Sequence, residues 1–297
     1  MRLFSDPWES EGLRKRLTHY HQLLQKKATA LYLHCQSMEC NFEKDEPIDQ
    51  LWVLHNKTKI LLEQTVNAKK SILKLEKPKQ SFLDLKKELT YRMLTECQFC
   101  ENDCHVNRTQ GKTGVCGVLD ESYISSSFLH HGEESPLVPS GTIFFAGCSF
   151  DCAFCQNEDI STAGKTYPLR SAGRKIYAEG LAEIANQLVI QGAININYVG
   201  GDPTPNLHTI IDSLRFQTAN VCQLWNSNFY NTLPVLEILS DVMDLWLPDL
   251  KYGNNTCGKR LSGVKNYWDI LQRNFRYIAE HGSNNIIIRH LDRKSVV

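Results

Sequence analysis

The second half of the chain alternates short apolar runs with amphipathic helical segments, and this alternation restricts the fold most strongly. Runs with strand character lie at 141–147, 196–201, 221–225, 244–250 and 285–290. Predicted helices follow the first four of them, at 173–190, 207–216, 233–240 and 267–280. The order predicts βαβ units and an α/β fold, in which functional loops lie at the carboxyl ends of parallel strands. The residues at those ends, which should converge on one mouth, are Cys148, Gly200, Gly201, Asn226 and Asp249.

Three cysteines lie close together directly after the first of these strands. The segment GCSFDCAFCQN (147–157) contains Cys148, Cys152 and Cys155. Three thiolates on one loop can hold three irons of a cubane cluster and leave the fourth iron open to a substrate or cofactor. A zinc site would need a fourth ligand from elsewhere, so zinc fits this spacing less well. The spacing therefore favours an iron–sulfur cluster with one open iron.

A second group of cysteines lies upstream and has four members. Cys97, Cys100, Cys104 and Cys116 belong to the segment CQFCENDCHVNRTQGKTGVCG (97–117). Four thiolates complete a ligand set, so this pattern fits a closed site, either structural zinc or an auxiliary iron–sulfur cluster. His105 could replace one of the four. The pattern predicts a metal here and leaves its identity open.

Charge and hydropathy restrict the partners and the compartment. Lys and Arg number 33, as do Asp and Glu, so composition proposes neither nucleic acid nor a membrane surface as a partner. No apolar run reaches the roughly 18 residues of a membrane-spanning helix. The N-terminus lacks the apolar segment of a secretory signal. The 11 cysteines are therefore interpreted as reduced thiols, and we expect a cytoplasmic protein.

The first 95 residues carry helical signals and few glycines. Asp6 and Pro7 resemble a helix cap and first turn, followed by a predicted helix over Trp8–Cys35. A second helix is predicted at about 48–75, and a third begins near Ser81 with a capping-box partner at Asp84. The chain divides accordingly into a helical region (1–95), a four-cysteine segment (96–140) and an α/β core (141–297).

The three-cysteine loop resembles the signature of the radical S-adenosylmethionine (SAM) superfamily, with Phe154 as the aromatic residue before the last cysteine. The resemblance implies a partial (β/α)6 TIM-like barrel that binds a [4Fe-4S] cluster and SAM. It assigns Cys148, Cys152 and Cys155 to the cluster and places Phe154 near the adenine. The reduced cluster would cleave SAM to a 5′-deoxyadenosyl radical, with a donor of the flavodoxin or ferredoxin type supplying the electron.

Further segments are similar to the branch of pyruvate formate-lyase activating enzymes. YVGGDPTP (198–205) looks like the segment whose backbone holds the SAM amino group, with Asp202 in place of the usual Glu. LWNSNFY (224–230) and WLPDLKYG (246–253) imply that Asn226, Ser227, Asp249 and Lys251 face SAM or substrate. In that branch the substrate is a glycine of a protein partner, which becomes a glycyl radical.

Two other functions remain open from the sequence. The radical could act on a small molecule or another protein target, or the chain could be a non-catalytic iron–sulfur or zinc protein. The missing fourth cysteine after Cys155 argues against the non-catalytic function. The barrel of the family continues to a sixth strand, so we expect either a fragment truncated after the fifth strand or a barrel closed differently, with an exposed sheet edge. His208 could reach the mouth or face solvent, and Arg289 could line the pocket.

Overall fold

Over its described residues, the N-terminal region forms five α-helices. The computed structural model describes residues 6–67, 77–282 and 285–290. The helices are α1 (Glu11–Arg16), α2 (Thr18–Leu24), α3 (Leu31–Ser37), α4 (Ile48–Asn67) and α5 (Phe82–Arg92). The predicted third helix is confirmed with its capping box, since Ser81 and Asp84 each accept a backbone N–H of the other. The predicted part of the second helix over 68–75 lies outside the described residues.

The single helix predicted over Trp8–Cys35 is wrong, because α1, α2 and α3 are separate. Asp6 does cap a short turn by accepting from the Trp8 N–H. Between α2 and α3, Lys26 has a φ of 58°, which ends helical hydrogen bonding. Two long-range hydrogen bonds then hold the start of α3, because Asn220 accepts the Ala30 N–H and Asp244 accepts the Leu31 N–H. Such long-range capping leaves no trace in local periodicity.

The core is a mixed α/β structure with one seven-stranded sheet. Its strands are β1 (Ser122–His130), β2 (Ser140–Phe145), β3 (Arg174–Ile176), β4 (Asn195–Gly200), β5 (Cys222–Ser227), β6 (Leu245–Leu250) and β7 (Arg289–His290). They are ordered β3-β1-β2-β4-β5-β6-β7. The strands from β2 through β4, β5 and β6 to β7 are parallel, so the five predicted strands are confirmed in their order. This arrangement is compatible with a partial barrel.

Strands β1 and β3 were not predicted, and both are antiparallel. β1 pairs with β2 on one side and with β3 on the other. The three serines in SYISSSFLH interrupt the apolar pattern of β1, and β3 occupies the start of a segment predicted as helix. The last predicted strand, 285–290, is shorter than expected, with ladder pairing only at Arg289–His290 and a single bridge from Ile286 to Trp246.

The remaining helices are α6 (Glu158–Ser161), α7 (Ala178–Ile190), α8 (Leu207–Ser213), α9 (Leu233–Ser240), α10 (Asn255–Ser262) and α11 (Tyr267–His281). One continuous apolar core joins the N-terminal helices to the sheet, with Tyr20, Tyr32, Trp225 and Trp246 fully buried in it. The N-terminal helices contact the sheet at the amino ends of its strands, where Asn195 at the start of β4 donates to Tyr20 and Asp244 just before β6 accepts the Leu31 N–H. The carboxyl ends of the parallel strands are therefore left to the loops. In the part of the chain that the structure describes, no helix is long and apolar enough to cross a membrane.

Candidate active site

The loop after β2 carries the three-cysteine segment and is tied down at both ends. Gly147 has a φ of 87°, and a Cβ there would lie 2.3 Å from a methyl group of Val118, so the tight exit from β2 requires glycine. Lys165 donates to the Phe150 carbonyl and the Asp151 carboxylate, each at 2.8 Å. The Asp151 and Ala153 N–H groups donate to carbonyls at the end of α10. The cysteines therefore lie on an anchored loop.

Each of the three cysteine sulfurs lies within hydrogen-bond distance of a backbone N–H or a serine hydroxyl. The Cys148 Sγ accepts the Phe150 N–H at 3.4 Å, the Cys152 Sγ lies 2.9 Å from the Ser262 Oγ, and the Cys155 Sγ lies 3.2 Å from the Ser161 Oγ. Over residues 6–67, 77–282 and 285–290, no group of three or more His, Cys, Asp and Glu side chains is arranged to hold a metal ion as the side chains stand.

The same three thiols are nevertheless close enough to influence one another. Burial raises the pKa of both Cys148 and Cys152, and the charges of neighbouring cysteines raise it further. Cys152 interacts in this way with Cys148 and with Cys155. Cluster binding would therefore have to displace the thiol protons, and the sulfurs could then accept hydrogen bonds from Ser262, Ser161 and the Phe150 N–H. The donor set, three thiols on one short loop, fits three irons of a cubane.

The Gly200–Gly201 segment packs directly against this loop. Gly200 has a φ of 132°, and a Cβ there would lie 2.2 Å from the Phe145 nitrogen. A Cβ on Gly201 would lie 2.3 Å from the Gly147 carbonyl oxygen. The N–H groups of Gly201 and Asp202 donate to the carbonyls of Phe145 and Gly147, at 2.8 and 3.0 Å. The end of β4 is thus fixed by backbone contacts to the start of the cysteine loop, and only glycine fits there.

Asp202 is buried behind this contact and belongs to a polar chain. Its Oδ2 accepts from the Ser149 Oγ at 3.0 Å, and that hydroxyl accepts from the Asn228 amide at 2.8 Å. Its Oδ1 has no hydrogen-bond partner among the described residues. Burial raises the pKa of Asp202 to about 6, against the opposing effect of these hydrogen bonds. The carboxylate is held in place, and its Oδ1 is buried together with the rest of the side chain.

The carboxyl ends of β5, β6 and β7 bring a charged network to the same mouth. The Lys251 Nζ lies 2.6 Å from the Asp249 Oδ2, and the Arg289 Nε donates to the Asp249 Oδ1 at 2.9 Å. Arg289 also donates to the Asn226 Oδ1, whose amide nitrogen has no partner in the described ranges. Burial alone would raise the pKa of Asp249, but attraction to Lys251 and Arg289 outweighs it and lowers the pKa.

Lys251 connects this network to the cysteine loop. Burial lowers the pKa of Lys251, but Asp249 and the nearby Cys152 and Cys148 raise it, so the side chain stays charged. A cation beside the cysteines suits a thiolate cluster, because such a cluster carries net negative charge. The two predicted features, the three cysteines and the Asp249–Lys251 segment, therefore share one site.

Phe154 and Ser227 differ in their surroundings. Phe154 is 38% exposed and lies edge-on to Tyr252, with ring centroids 6.2 Å apart. A contact of Phe154 with the adenine of SAM stays a prediction. Ser227 is buried, and its hydroxyl accepts the Phe229 N–H at 3.1 Å, which fixes the turn after β5. The structure gives Ser227 a role in this turn, and a contact to SAM stays a prediction.

Comparison with known proteins decides the family. The pattern of the radical SAM superfamily matches residues 142–291. An uncharacterized protein of Methanocaldococcus jannaschii is 40% identical over 278 residues, which cover 93% of this chain and 79% of the relative. The chain belongs to the radical SAM superfamily. It is therefore an enzyme that uses a [4Fe-4S] cluster and S-adenosylmethionine, and it cleaves S-adenosylmethionine at the cluster.

The second cysteine group of this radical SAM enzyme is brought together by the fold. One cavity is lined by Cys97, Cys100, Cys104 and Cys116 together with Thr204 and Pro205. Burial raises the pKa of Cys100 and Cys116, and the neighbouring cysteines raise both further. The four side chains line this cavity but, like those of the three-cysteine loop, do not form a metal-binding arrangement in the described residues as they stand, so metal binding here stays a prediction.

Two histidines differ from the predictions. His105 could have replaced a cysteine ligand, but its side chain is half exposed and pairs with Glu96 and Asp103 at 2.9 and 2.7 Å, away from the cavity lining. His208 neither faces solvent nor opens to the mouth. It is fully buried, it lies 2.9 Å from the Asp120 carbonyl, and burial together with Arg108 lowers its pKa to about 3.

Several residues of the site were not singled out from the sequence. Ser149 lies inside the cysteine segment, so its position alone could have suggested a role. Ser262, on the other hand, reaches Cys152 from 110 residues away, and Glu133 reaches Arg289 from the β1–β2 connection at 3.5 Å. No local pattern marks either residue, because only the folded sheet brings each of them to its partner.

Proposed function

We propose that Cys148, Cys152 and Cys155 hold the [4Fe-4S] cluster and that the enzyme removes a hydrogen atom from a glycine of a protein partner, as an activating enzyme does. When bound and reduced, the cluster supplies one electron to the SAM sulfonium, which gives methionine and a 5′-deoxyadenosyl radical. This chemistry would remove a hydrogen atom from the glycine Cα and give 5′-deoxyadenosine and a glycyl radical. The electron would come from a donor of the flavodoxin or ferredoxin type.

The residues of the chain would hold SAM and keep it oriented. The Gly200–Gly201 backbone and the unpaired Oδ1 of Asp202 suit the amino group of the methionine moiety. The unpaired amide nitrogen of Asn226 suits a carboxylate or hydroxyl oxygen, and Phe154 would contact the adenine. Asp249 and Lys251 would complete the pocket.

The observation that carries the proposal is the Asp249–Lys251 ion pair beside Cys152 at the mouth. It joins the segment that is similar to activating enzymes to the three-cysteine loop. Two chain segments about 100 residues apart, each suggestive alone, thus meet in one pocket. Charge in such a pocket can position a polar cofactor in a partly desolvated space.

Anaerobic reconstitution with iron and sulfide, followed by reduction with dithionite in the presence of SAM, tests the ligand assignment. The wild type should release 5′-deoxyadenosine and methionine in equal amounts, and Cys152→Ala should release neither. Cys257→Ala is the matched control, because Cys257 lies in α10 outside both cysteine groups, and it should behave as the wild type. Cleavage by Cys152→Ala at the rate of the control would contradict the assignment.

The glycine target needs a separate test. The reduced enzyme is mixed with SAM and a candidate glycyl-radical enzyme, and the mixture is examined by electron paramagnetic resonance. The expected signal is a doublet that collapses when the glycine Cα carries deuterium. If SAM is cleaved and no doublet appears with any such enzyme, the glycine target is rejected while radical SAM chemistry stands.

A second target class, a small polar molecule, is favoured by unpaired atoms near Arg289. Glu133 accepts from the Asn197 amide at 2.9 Å and pairs with Arg289, but the Asn197 Oδ1 and the Glu134 Oε2 have no partner in the described ranges. Buried polar atoms without partners suit a ligand with several hydrogen-bonding groups. Extract from cells grown in deuterated medium, separated into small molecules and proteins, distinguishes the classes by which fraction delivers deuterium into 5′-deoxyadenosine.

A further inference from the structure

The four-cysteine cavity contains a buried cation that has no carboxylate partner. Arg108 is 1% exposed and lines the cavity together with the four cysteines. Its guanidinium donates to the Leu119 carbonyl at 3.0 Å and to the Pro205 carbonyl at 2.7 Å, and one nitrogen lies 3.9 Å from the Cys97 Sγ. Among the described residues no Asp or Glu pairs with it. The carbonyls and the Phe99 ring, whose centroid lies 5.3 Å from the guanidinium, favour the cation but carry no net charge, so negative charge is expected in the cavity.

The cysteines can supply that charge only as thiolates, and thiolates together in a buried space need a metal. Four thiolates around zinc or around a [4Fe-4S] core leave net negative charge, which Arg108 would balance. The shape of the cavity agrees, because a Cβ on Gly114 would lie 2.7 Å from the Cys104 Sγ, so glycine is needed beside that ligand. The charge and the donor set thus point to the same occupant.

The same segment is hydrogen-bonded to both loops of the radical SAM site. The Asn102 amide donates to the Ser149 carbonyl at 2.7 Å and lies 3.6 Å from the Cys100 Sγ. Arg108 donates to Pro205, which follows the Gly200–Gly201 segment. Hydrogen bonds through Asn102 and Arg108 therefore connect the four-cysteine cavity to the cysteine loop and to the loop assigned to the SAM amino group.

We propose that Cys97, Cys100, Cys104 and Cys116 form a tetrathiolate metal centre, with Arg108 as its buried counter-charge, and that its occupancy holds the two SAM-binding loops in place. The identification of those loops rests on the function proposed above. The shared chemistry is four-thiolate coordination, which zinc and an iron–sulfur cluster both satisfy. A centre of this kind stabilises SAM binding through Asn102 and Arg108 and takes no part in SAM cleavage.

Metal content is measured first, in a variant that cannot hold the radical cluster. The triple variant Cys148→Ala, Cys152→Ala and Cys155→Ala is purified anaerobically. It should retain the metal of the four-cysteine site at full occupancy. One zinc per chain without sulfide identifies zinc, whereas iron with matching sulfide and visible absorbance identifies a cluster. A triple variant with neither metal overturns the proposal, and this result does not depend on any SAM chemistry.

Coupling to SAM is measured next, with Cys100→Ser and the milder Asn102→Ala in the otherwise intact enzyme. Cys40→Ser is the matched control, because Cys40 is buried in the N-terminal layer. We expect both test variants to keep the radical cluster, seen by its reduced paramagnetic signal, and to bind SAM about tenfold more weakly, the loss typical of one hydrogen-bonded support. SAM affinity equal to that of the control in both variants overturns the coupling.

The two proposals fail in different ways. Metal in the triple variant together with no SAM cleavage by the wild type would reject the radical function and leave the second centre standing. The triple variant can also be stripped of its metal and titrated with Co²⁺. Binding by four thiolates would give an intense sulfur-to-cobalt absorption. Cys116→Ser should remove that absorption, and full retention of it would count against this ligand set.

Discussion

Two lysine–aspartate pairs have the same separation and opposite surroundings. Lys86 and Asp241 lie 2.6 Å apart between α5 and the end of α9, with side chains 0% and 5% exposed. Lys251 and Asp249 also lie 2.6 Å apart, but at the mouth of the sheet, with side chains 19% and 27% exposed. The distance between charges therefore does not tell a structural pair from one at a site.

The partners of each pair explain the difference. Lys86 also donates to His55 at 2.7 Å and to the Ile238 carbonyl at 3.1 Å, so all its donors are used inside the protein. Lys251 has water on one side, cysteines on the other, and an Asp249 that it shares with Arg289. The first group fixes the helical layer on the sheet, whereas the second keeps charge within reach of a ligand.

The largest expected effect is on stability, when each lysine is shortened to an uncharged side chain. Lys86→Met removes the ammonium group that lies 2.6 Å from the buried Asp241 carboxylate. The free energy of unfolding should therefore fall by about 3–5 kcal/mol. Lys251→Met should cost about 1 kcal/mol or less, because water can solvate Asp249. Urea unfolding followed by circular dichroism measures both, and equal losses would contradict the comparison.

The next effect is on SAM cleavage and should appear only at the open pair. Asp249→Asn keeps the volume but leaves Lys251 and Arg289 without their shared anion. We expect SAM cleavage to slow by about thirtyfold, or about 2 kcal/mol in the barrier. Glu88→Gln, which breaks an ion pair with Arg92 on α5, is the control and should leave the rate unchanged. A rate for Asp249→Asn within twofold of the control would remove Asp249 from the pocket.

Acid should lower the stability of the protein through His55, which belongs to the buried group around Lys86 and Asp241. Burial and the adjacent Lys86 lower the pKa of His55 to about 3, below its ordinary value of about 6.5. Between these values only the unfolded chain takes up the proton, so stability is fully present above pH 6.5 and falls as the pH falls towards 3. At pH 5.5 the loss should be about 1.4 kcal/mol.

His55→Gln isolates this contribution, because other buried histidines also titrate. The glutamine can still accept from Lys86 but binds no proton. The difference in unfolding free energy between wild type and variant should therefore change with pH between pH 8 and pH 5.5. A difference that is independent of pH would show that His55 has the same pKa in the folded and the unfolded chain.

The smallest effect concerns the helix that carries Lys86. Ser81→Ala removes the hydroxyl that accepts the Asp84 N–H at the start of α5, and should cost about 1 kcal/mol. Thermal unfolding compares this variant with Ser37→Ala, whose hydroxyl is at the end of α3. A loss as large as that of Lys86→Met would mean that the cap, rather than the buried pair, anchors the helix.

Local patterns predicted much of the core. The five parallel strands and the cap of α5 follow from side-chain periodicity and from residues three apart, and both are confirmed. The spacing of Cys148, Cys152 and Cys155 led to the superfamily that the comparisons show. Strands β1 and β3 were not predicted. A serine-rich strand and a three-residue strand are stabilised by pairing with their neighbours rather than by their own sequence.

The chain by itself determined which chemistry it carries: cysteines at cluster spacing, glycines where backbone segments touch, and strands whose ends meet. Only the tertiary structure decided which of two similar ion pairs is sealed and which is open, and that Asn102 and Arg108 connect the four-cysteine cavity to the SAM loops. The physical reason is that burial and long-range hydrogen bonds depend on the residues that pack around a side chain. Those residues come from distant segments, so their meeting is a property of the folded chain.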